Sequence, residues 1–178
     1  MYEFLATSAA TSGSSTTITF ASLSIGDYDS IHVSGVMAGT AQSTAYAYLT
    51  LNSVTSTTYG WNVRGMENGN ASPSAGDNSN ASNQGRFGRV PGSNLNAGTI
   101  YASVNMDIWG HRGTSAFPGR PAWLCQGGFV DTAGASYVGW GGGYNNSIST
   151  PITDIKFVLN NGTWAANTQF HLYGRTTS

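Results

Sequence analysis

Polar and apolar residues alternate along most of this chain with the two-residue period of β-strands, and no segment shows a helical period over the length of a helix. The clearest case is the segment 102–108, in which Ala102, Val104, Met106 and Ile108 fall on one face. Because successive side chains of a strand point to opposite faces, this segment is predicted to be a strand with one buried face.

Similar segments recur from end to end, and turn signals such as Gly26-Asp27 and Asn160-Asn161-Gly162 separate them. Short strands separated by such turns predict an all-β fold, a two-sheet antiparallel β-sandwich of jelly-roll type that forms one domain over residues 1–178. The two terminal strands are expected in the same sheet or close together, because unpaired edges promote aggregation. The predicted strands lie at residues 2–7, 17–21, 31–34, 45–51, 59–64, 102–108, 122–129, 137–140, 155–159 and 169–175.

The segment 65–98 departs from this pattern. It is rich in Asn, Ser and Gly and has few large apolar residues, so we predict a long loop within the domain. In one interpretation the loop is a solvated excursion with incidental charges. In the other it becomes ordered on a neighbouring subunit, and Arg86, Phe87 and Arg89 are then the partner-contact residues.

The composition narrows the possible partners. Gly, Ser, Thr and Asn make up 81 of the 178 residues, and charged residues only 8%. Seven Lys and Arg against eight Asp and Glu leave no basic excess to neutralise phosphates, so we expect no nucleic-acid partner. The sequence contains no apolar run of bilayer length and no secretory pattern, so we expect no membrane partner and folding in a cytoplasm.

Residues that could carry chemistry are few. The sequence has no motif for a nucleophilic, phosphate-binding or zinc-dependent enzyme. Asp107 and His111 could share a metal only with further ligands, and Asp27 and Asp29 offer only two carboxylates to calcium. Cys125 lies in an apolar stretch that is typical of a buried thiol. We therefore expect no enzymatic activity, no catalytic residue, no cofactor and no metal site.

The tryptophans leave one binding hypothesis open. Exposed indoles can stack on sugar rings while Asn, Gln and Asp side chains bind the sugar hydroxyls. The alternative, which the sequence favours, is that the indoles fill the core or a subunit interface, where burial of large aromatic rings is stabilising. The five residues are Trp61, Trp109, Trp123, Trp140 and Trp164.

The order of the strand motifs along the chain resembles that of a known protein family. The motifs are Tyr2–Thr7, Thr16–Leu23, Tyr28–Val33, Leu49–Asn52 followed by Tyr59-Gly60-Trp61, Ile152–Phe157 and Phe170–Gly174. In this order they resemble the small β-rich virion structural proteins, of capsid-decoration or cement type, that tailed bacteriophages of marine and cyanobacterial origin encode. The resemblance covers nearly the whole chain except the segments 65–98 and 110–121, and it supplies no functional residue.

The resemblance implies that this is a non-enzymatic structural protein, which decorates or cements the outer surface of a phage capsid. The implied partners are the major capsid protein and further copies of the chain, as a homotrimer. The implied location is the outer surface of the virion, after folding in the host cytoplasm. The alternative function is a tail-fibre, receptor-binding or carbohydrate-binding β-sandwich module with surface glycans as its ligands.

Overall fold

The computed structural model describes residues 1–8, 14–41, 44–67, 74–92, 101–110, 120–130 and 136–176. These ranges contain twelve β-strands and no helix. The strands are β1 (Tyr2–Thr7), β2 (Thr17–Phe20), β3 (Ser30–Met37), β4 (Ala45–Leu51), β5 (Tyr59–Glu67), β6 (Ser74–Ser82), β7 (Gly85–Val90), β8 (Ala102–Trp109), β9 (Ala122–Val130), β10 (Ser136–Asn145), β11 (Ile155–Leu159) and β12 (Gln169–Arg175).

The strands form two antiparallel sheets, which confirms the predicted all-β sandwich. The larger sheet has eight strands in the order β1-β12-β3-β8-β9-β10-β5-β6, and the smaller has four in the order β2-β11-β4-β7. The two terminal strands β1 and β12 pair with each other, as the sequence predicted.

Eight of the strands pair from the two chain ends inward. β1 pairs with β12, β2 with β11, β3 with β8 and β4 with β7, as in one long hairpin. Further pairing of β12 with β3 and of β11 with β4 rolls this hairpin into two sheets. That connectivity is a jelly roll, the architecture found in viral capsid and lectin domains.

The other four strands are two insertions into the jelly roll. β5 and β6 lie between β4 and β7 in the chain, and β9 and β10 lie between β8 and β11. They pair with each other through β10 and β5 and continue the larger sheet beyond β8. The insertions therefore double the four jelly-roll strands of the larger sheet to eight and widen its outer surface.

The core lies between the two sheets and is centred on aromatic rings. Phe157 of the smaller sheet stacks on Phe170 of the larger sheet, with ring centres 4.3 Å apart. Trp164 packs edge-on against Phe170, and Phe87 against Phe157. All four side chains are buried, and burial of each large apolar side chain contributes about 1.5–3 kcal/mol.

The segment 65–98 is not the continuous loop that the sequence predicted, because it contains β6 and β7. β6 has no large apolar side chain, so no hydrophobic period marks it. Its strand conformation comes from pairing with β5, which is a tertiary effect that composition does not show.

The expected partner-contact residues in this segment also need correction. Phe87 belongs to the core and Arg86 is buried, each with 3% of its surface exposed. Both side chains are used within the chain, so they are not the exposed anchors of an arm that the sequence analysis expected. Arg89 is partly buried on β7, with its guanidinium carbon 5.1 Å from the centre of the Tyr137 ring.

Candidate functional site

The outer face of the larger sheet, which is the face turned away from the smaller sheet, collects the exposed apolar side chains. Along β9 and β10 the large outward side chains are exposed, whereas their inward neighbours Trp123, Cys125 and Tyr137 are buried. A concentration of exposed apolar side chains on one face indicates an interaction surface. Apart from Met1, every large hydrophobic residue that is exposed in the described ranges lies here: Tyr2, Phe4, Val36, Leu124, Val130, Val138, Trp140 and Tyr144.

Strand register places polar side chains in two neighbouring rows across the middle of this face. The first row runs Asn105, Gln126, Trp140, Arg64 over β8, β9, β10 and β5. The second row lies two residues further along each strand, about 6.6 Å away. It runs His32, Asp107, Leu124, Gly142, Asn62.

A groove follows these rows, and we name it the Trp140 groove. Its first part has a volume of about 950 Å³ and lies between the two rows. Its second part, of about 580 Å³, continues along β9 and β10 toward Val130 and Val138. Asn105, Gln126 and Trp140 line both parts, so the groove is continuous past the indole.

Glycine keeps the floor of this groove low. Gly142 faces the groove, and a Cβ atom there would lie 2.6 Å from the carbonyl oxygen of Trp123 and 2.8 Å from the side chain of Leu124. A Cβ atom on Gly128 would lie 2.4 Å from the carbonyl oxygen of Tyr137. Neither position has room for a side chain, so the neighbouring strand backbones remain accessible.

Trp140 projects from this floor and is 43% exposed. It differs from the other four tryptophans, since Trp123 and Trp164 are buried and Trp61 and Trp109 are partly buried. The expectation that the indoles fill the core or a subunit interface is confirmed for Trp123 and Trp164, which lie in the core, and Trp61 packs against it. Trp140 lies outside the core, on the outer face.

His32 and Asp107 form a polar pair at one side of the groove. His32 Nδ1 lies 2.9 Å from Asp107 Oδ1, and both side chains are partly buried. Pairing of β3 with β8 brings the two residues together although 75 positions separate them in the chain. His111, which could share a site with Asp107 by its place in the sequence, lies outside the described residues.

Four further polar side chains of the groove are available to a ligand. The side chains of Asn62, Arg64, Asn105 and Gln126 make no hydrogen bond or ion pair with another described residue. Each amide offers one acceptor oxygen and two N–H donors, and the guanidinium offers five donors. The groove thus combines an exposed aromatic face with unused donors and acceptors.

Cys125 lies beside the groove floor but belongs to the interior. Its thiol is buried and donates a hydrogen bond to the carbonyl oxygen of Gly141 over 3.4 Å. Burial, which disfavours the thiolate, raises the pKa of Cys125 to about 12. The thiol therefore stays protonated at neutral pH, which confirms the expected buried cysteine and makes it a poor nucleophile.

In the described ranges no group of three His, Cys, Asp or Glu side chains comes together as a metal site would require. In the same ranges no helix has the length and apolarity needed to cross a bilayer.

Comparison of the chain with protein-family models, with curated proteins and with solved structures finds no match. The resemblance to phage virion proteins therefore stays a prediction from the sequence.

Proposed function

We propose that this protein is a non-enzymatic structural protein of a tailed-phage virion, which decorates or cements the outer capsid surface. The observation that carries the proposal is the concentration of exposed apolar side chains on the outer face of the larger sheet. The jelly-roll connectivity, which is common in capsid proteins, and the strand motifs in the sequence support the same role. The protein then acts by binding other proteins through that face.

We propose two contact regions on the outer face. The first is the valine patch, which we define as Val36, Val130 and Val138. These side chains are 43%, 63% and 52% exposed. Ser103 and Gly128 lie between Val36 and Val138 in the strand register, so no charge interrupts that row. Covering the patch requires no desolvation of an ion, which is the costly step in forming an interface.

A second contact region is the aromatic corner at the free edge of β1, which we define as Tyr2, Phe4, His32 and Tyr173. Tyr2 lies against His32 with ring centres 5.5 Å apart, and Phe4 against Tyr173 at 5.8 Å. β1 is an edge strand, so its outer backbone groups can pair with another chain. In the proposal this corner joins copies of the chain in a homotrimer, and the valine patch faces the major capsid protein.

The copy number in purified particles tests the virion role. Quantitative mass spectrometry of the virions is expected to find hundreds of copies, as symmetric decoration of a shell requires. About a dozen copies would place the protein on the tail instead, since tails have low rotational symmetry. Absence from the particles would refute the virion role. Native mass spectrometry of the purified protein tests the homotrimer.

The double variant Val36→Asp/Val138→Asp tests the valine patch. Its occupancy on particles is expected to fall at least tenfold, because two carboxylates would be buried in the contact. The matched control is Val158→Asp, which changes the outward face of β11 in the smaller sheet. Circular dichroism checks that both proteins stay folded. Unchanged occupancy of a folded double variant would refute this contact.

A further inference from the structure

We infer that the Trp140 groove is a binding site for a neutral oligosaccharide. This goes beyond the proposed virion role and does not depend on it, because Trp140 and the amides that carry it belong to neither contact region. The groove meets those regions only at its ends, where His32 lines the first part and Val130 and Val138 line the second.

The exposed indole supplies the apolar part of the site. A pyranose ring has a face of C–H groups, and stacking that face on Trp140 removes apolar surface of both partners from water. β10 pairs along its length with β9 on one side and β5 on the other, so the position of Trp140 is fixed before binding. A fixed aromatic platform lowers the entropy cost of ordering the site.

The amides supply the polar part. Gln126 is the register neighbour of Trp140 on β9, Asn105 follows on β8, and Asn62 lies in the adjacent row on β5. Sugar hydroxyls both donate and accept hydrogen bonds, and amide groups match both functions. None of these three amides hydrogen-bonds to another described side chain or backbone group, so ligand binding breaks no contact among the described residues.

The charges of the groove favour a ligand without net charge. Arg64 brings one positive charge, and Asp107 brings one negative charge beside His32. The carboxylate of Asp107 would repel a polyanionic sugar chain, and the single charge of Arg64 gives the groove no net positive charge to offset that repulsion.

The length of the groove favours several sugar rings rather than one. Its two parts follow β9 from Leu124 to Val130, which is about 20 Å at the rise of a strand. Trp140 stands where the two parts meet, so a bound chain would cross the indole.

Titration of the purified protein with defined sugars tests the inference. The probes are neutral gluco-, galacto-, manno- and xylo-oligosaccharides, with oligogalacturonate as the acidic comparison. Binding is followed by calorimetry and by the shift in tryptophan emission. At least one neutral probe is expected to bind with millimolar or tighter affinity, and Trp140→Ala is expected to weaken it by about tenfold or more.

The matched control is Tyr144→Ala. Tyr144 lies on the same strand and the same face with the same 43% exposure, but it lines neither part of the groove. This variant is expected to bind as the parent does, and Trp140→Phe is expected to retain part of the affinity.

Three results would overturn the inference: no binding of any neutral probe at millimolar concentration, binding only of the acidic probe, or equal binding by the parent and Trp140→Ala. Loss of particle occupancy in Trp140→Ala without any sugar binding would assign the groove to a protein contact and likewise overturn it. Because Val138 lines the second part of the groove, sugar binding is also measured for Val36→Asp/Val138→Asp. Trp140→Ala probes the sugar site without touching the valine patch, so the two proposals can fail separately.

Discussion

The guanidinium carbon of Arg86 lies 3.7 Å from the centre of the Tyr46 ring. Arg86 also forms an ion pair with Asp77 of β6 and lies 5.4 Å from the ring of Trp61 on β5. Tyr46 belongs to β4 in the smaller sheet, so this one side chain links the inserted strands to the jelly roll. The arginine therefore acts as a clamp within the chain.

Replacement of Arg86 by Ala tests this clamp. The variant loses two cation–π contacts and the ion pair between the buried guanidinium and the half-exposed Asp77, and we expect the free energy of unfolding to fall by about 1–3 kcal/mol. Arg64→Ala is the control, because Arg64 is exposed and a surface change of this kind costs about 0.5 kcal/mol or less. Urea denaturation measures both. Equal stability of the two variants would show that the clamp is unimportant.

The stacked pair Phe157 and Phe170 predicts where a substitution lowers the free energy of unfolding most. Phe170→Ala removes a fully buried ring from β12, which lies between β1 and β3, so we expect a loss of about 3–5 kcal/mol. Phe4→Ala makes the same change at a residue that is 56% exposed, and the expected loss is about 1 kcal/mol or less. Thermal and urea unfolding compare the two. A larger loss for Phe4→Ala would contradict the assigned core.

Deletion of residues 170–178 extends this prediction to the whole strand. It removes most of β12 and leaves β1 and β3 without their shared partner. We expect no soluble folded protein, because two rows of backbone hydrogen bonds and the buried Phe170 and Leu172 are lost together. Recovery of a well-folded truncation, judged by circular dichroism and size-exclusion chromatography, would contradict the prediction.

The buried thiol of Cys125 predicts a dependence on pH. Its pKa is raised to about 12 in the folded chain, whereas an unfolded thiol titrates near 8.5. Burial of the neutral thiol therefore costs the fold nothing below about pH 8. As the pH rises from there toward the pKa of the folded chain, the unfolded chain loses its thiol proton first, and the free energy of unfolding falls.

Comparison with Cys125→Ala isolates this effect from other groups that titrate at high pH. Between pH 8 and pH 10 the parent is expected to lose about 1–2 kcal/mol more unfolding free energy than the variant. In the native parent the thiol should also react slowly with a disulfide reagent at pH 8 and rapidly in urea. Parallel pH profiles for the two proteins would contradict the burial of this group.

The sequence predicted those strands whose large apolar side chains recur at every second position. The segment 102–108 is such a case, and it forms β8. β6 could not be predicted, since its sequence SAGDNSNAS contains no large apolar residue and its conformation depends on β5. β7 was not predicted, because glycines flank Arg86 and Phe87 and no alternation of apolar residues indicates that these two side chains are buried.

The groove could not be predicted from the sequence, for a different reason. Trp140 is flanked by Gly139 and Gly141, so no apolar neighbour indicates which face it occupies. Strand register alone brings Trp140 beside Gln126 and joins His32 to Asp107. Pairings over such separations are set by the rolled topology and not by any local motif.

Cryo-electron microscopy of the intact virion tests the central claim most directly. The account predicts density for this jelly roll on the outer capsid surface, with Val36 and Val138 against the major capsid protein. Density at the tail, or a decorating jelly roll whose valine patch faces solvent, would contradict it.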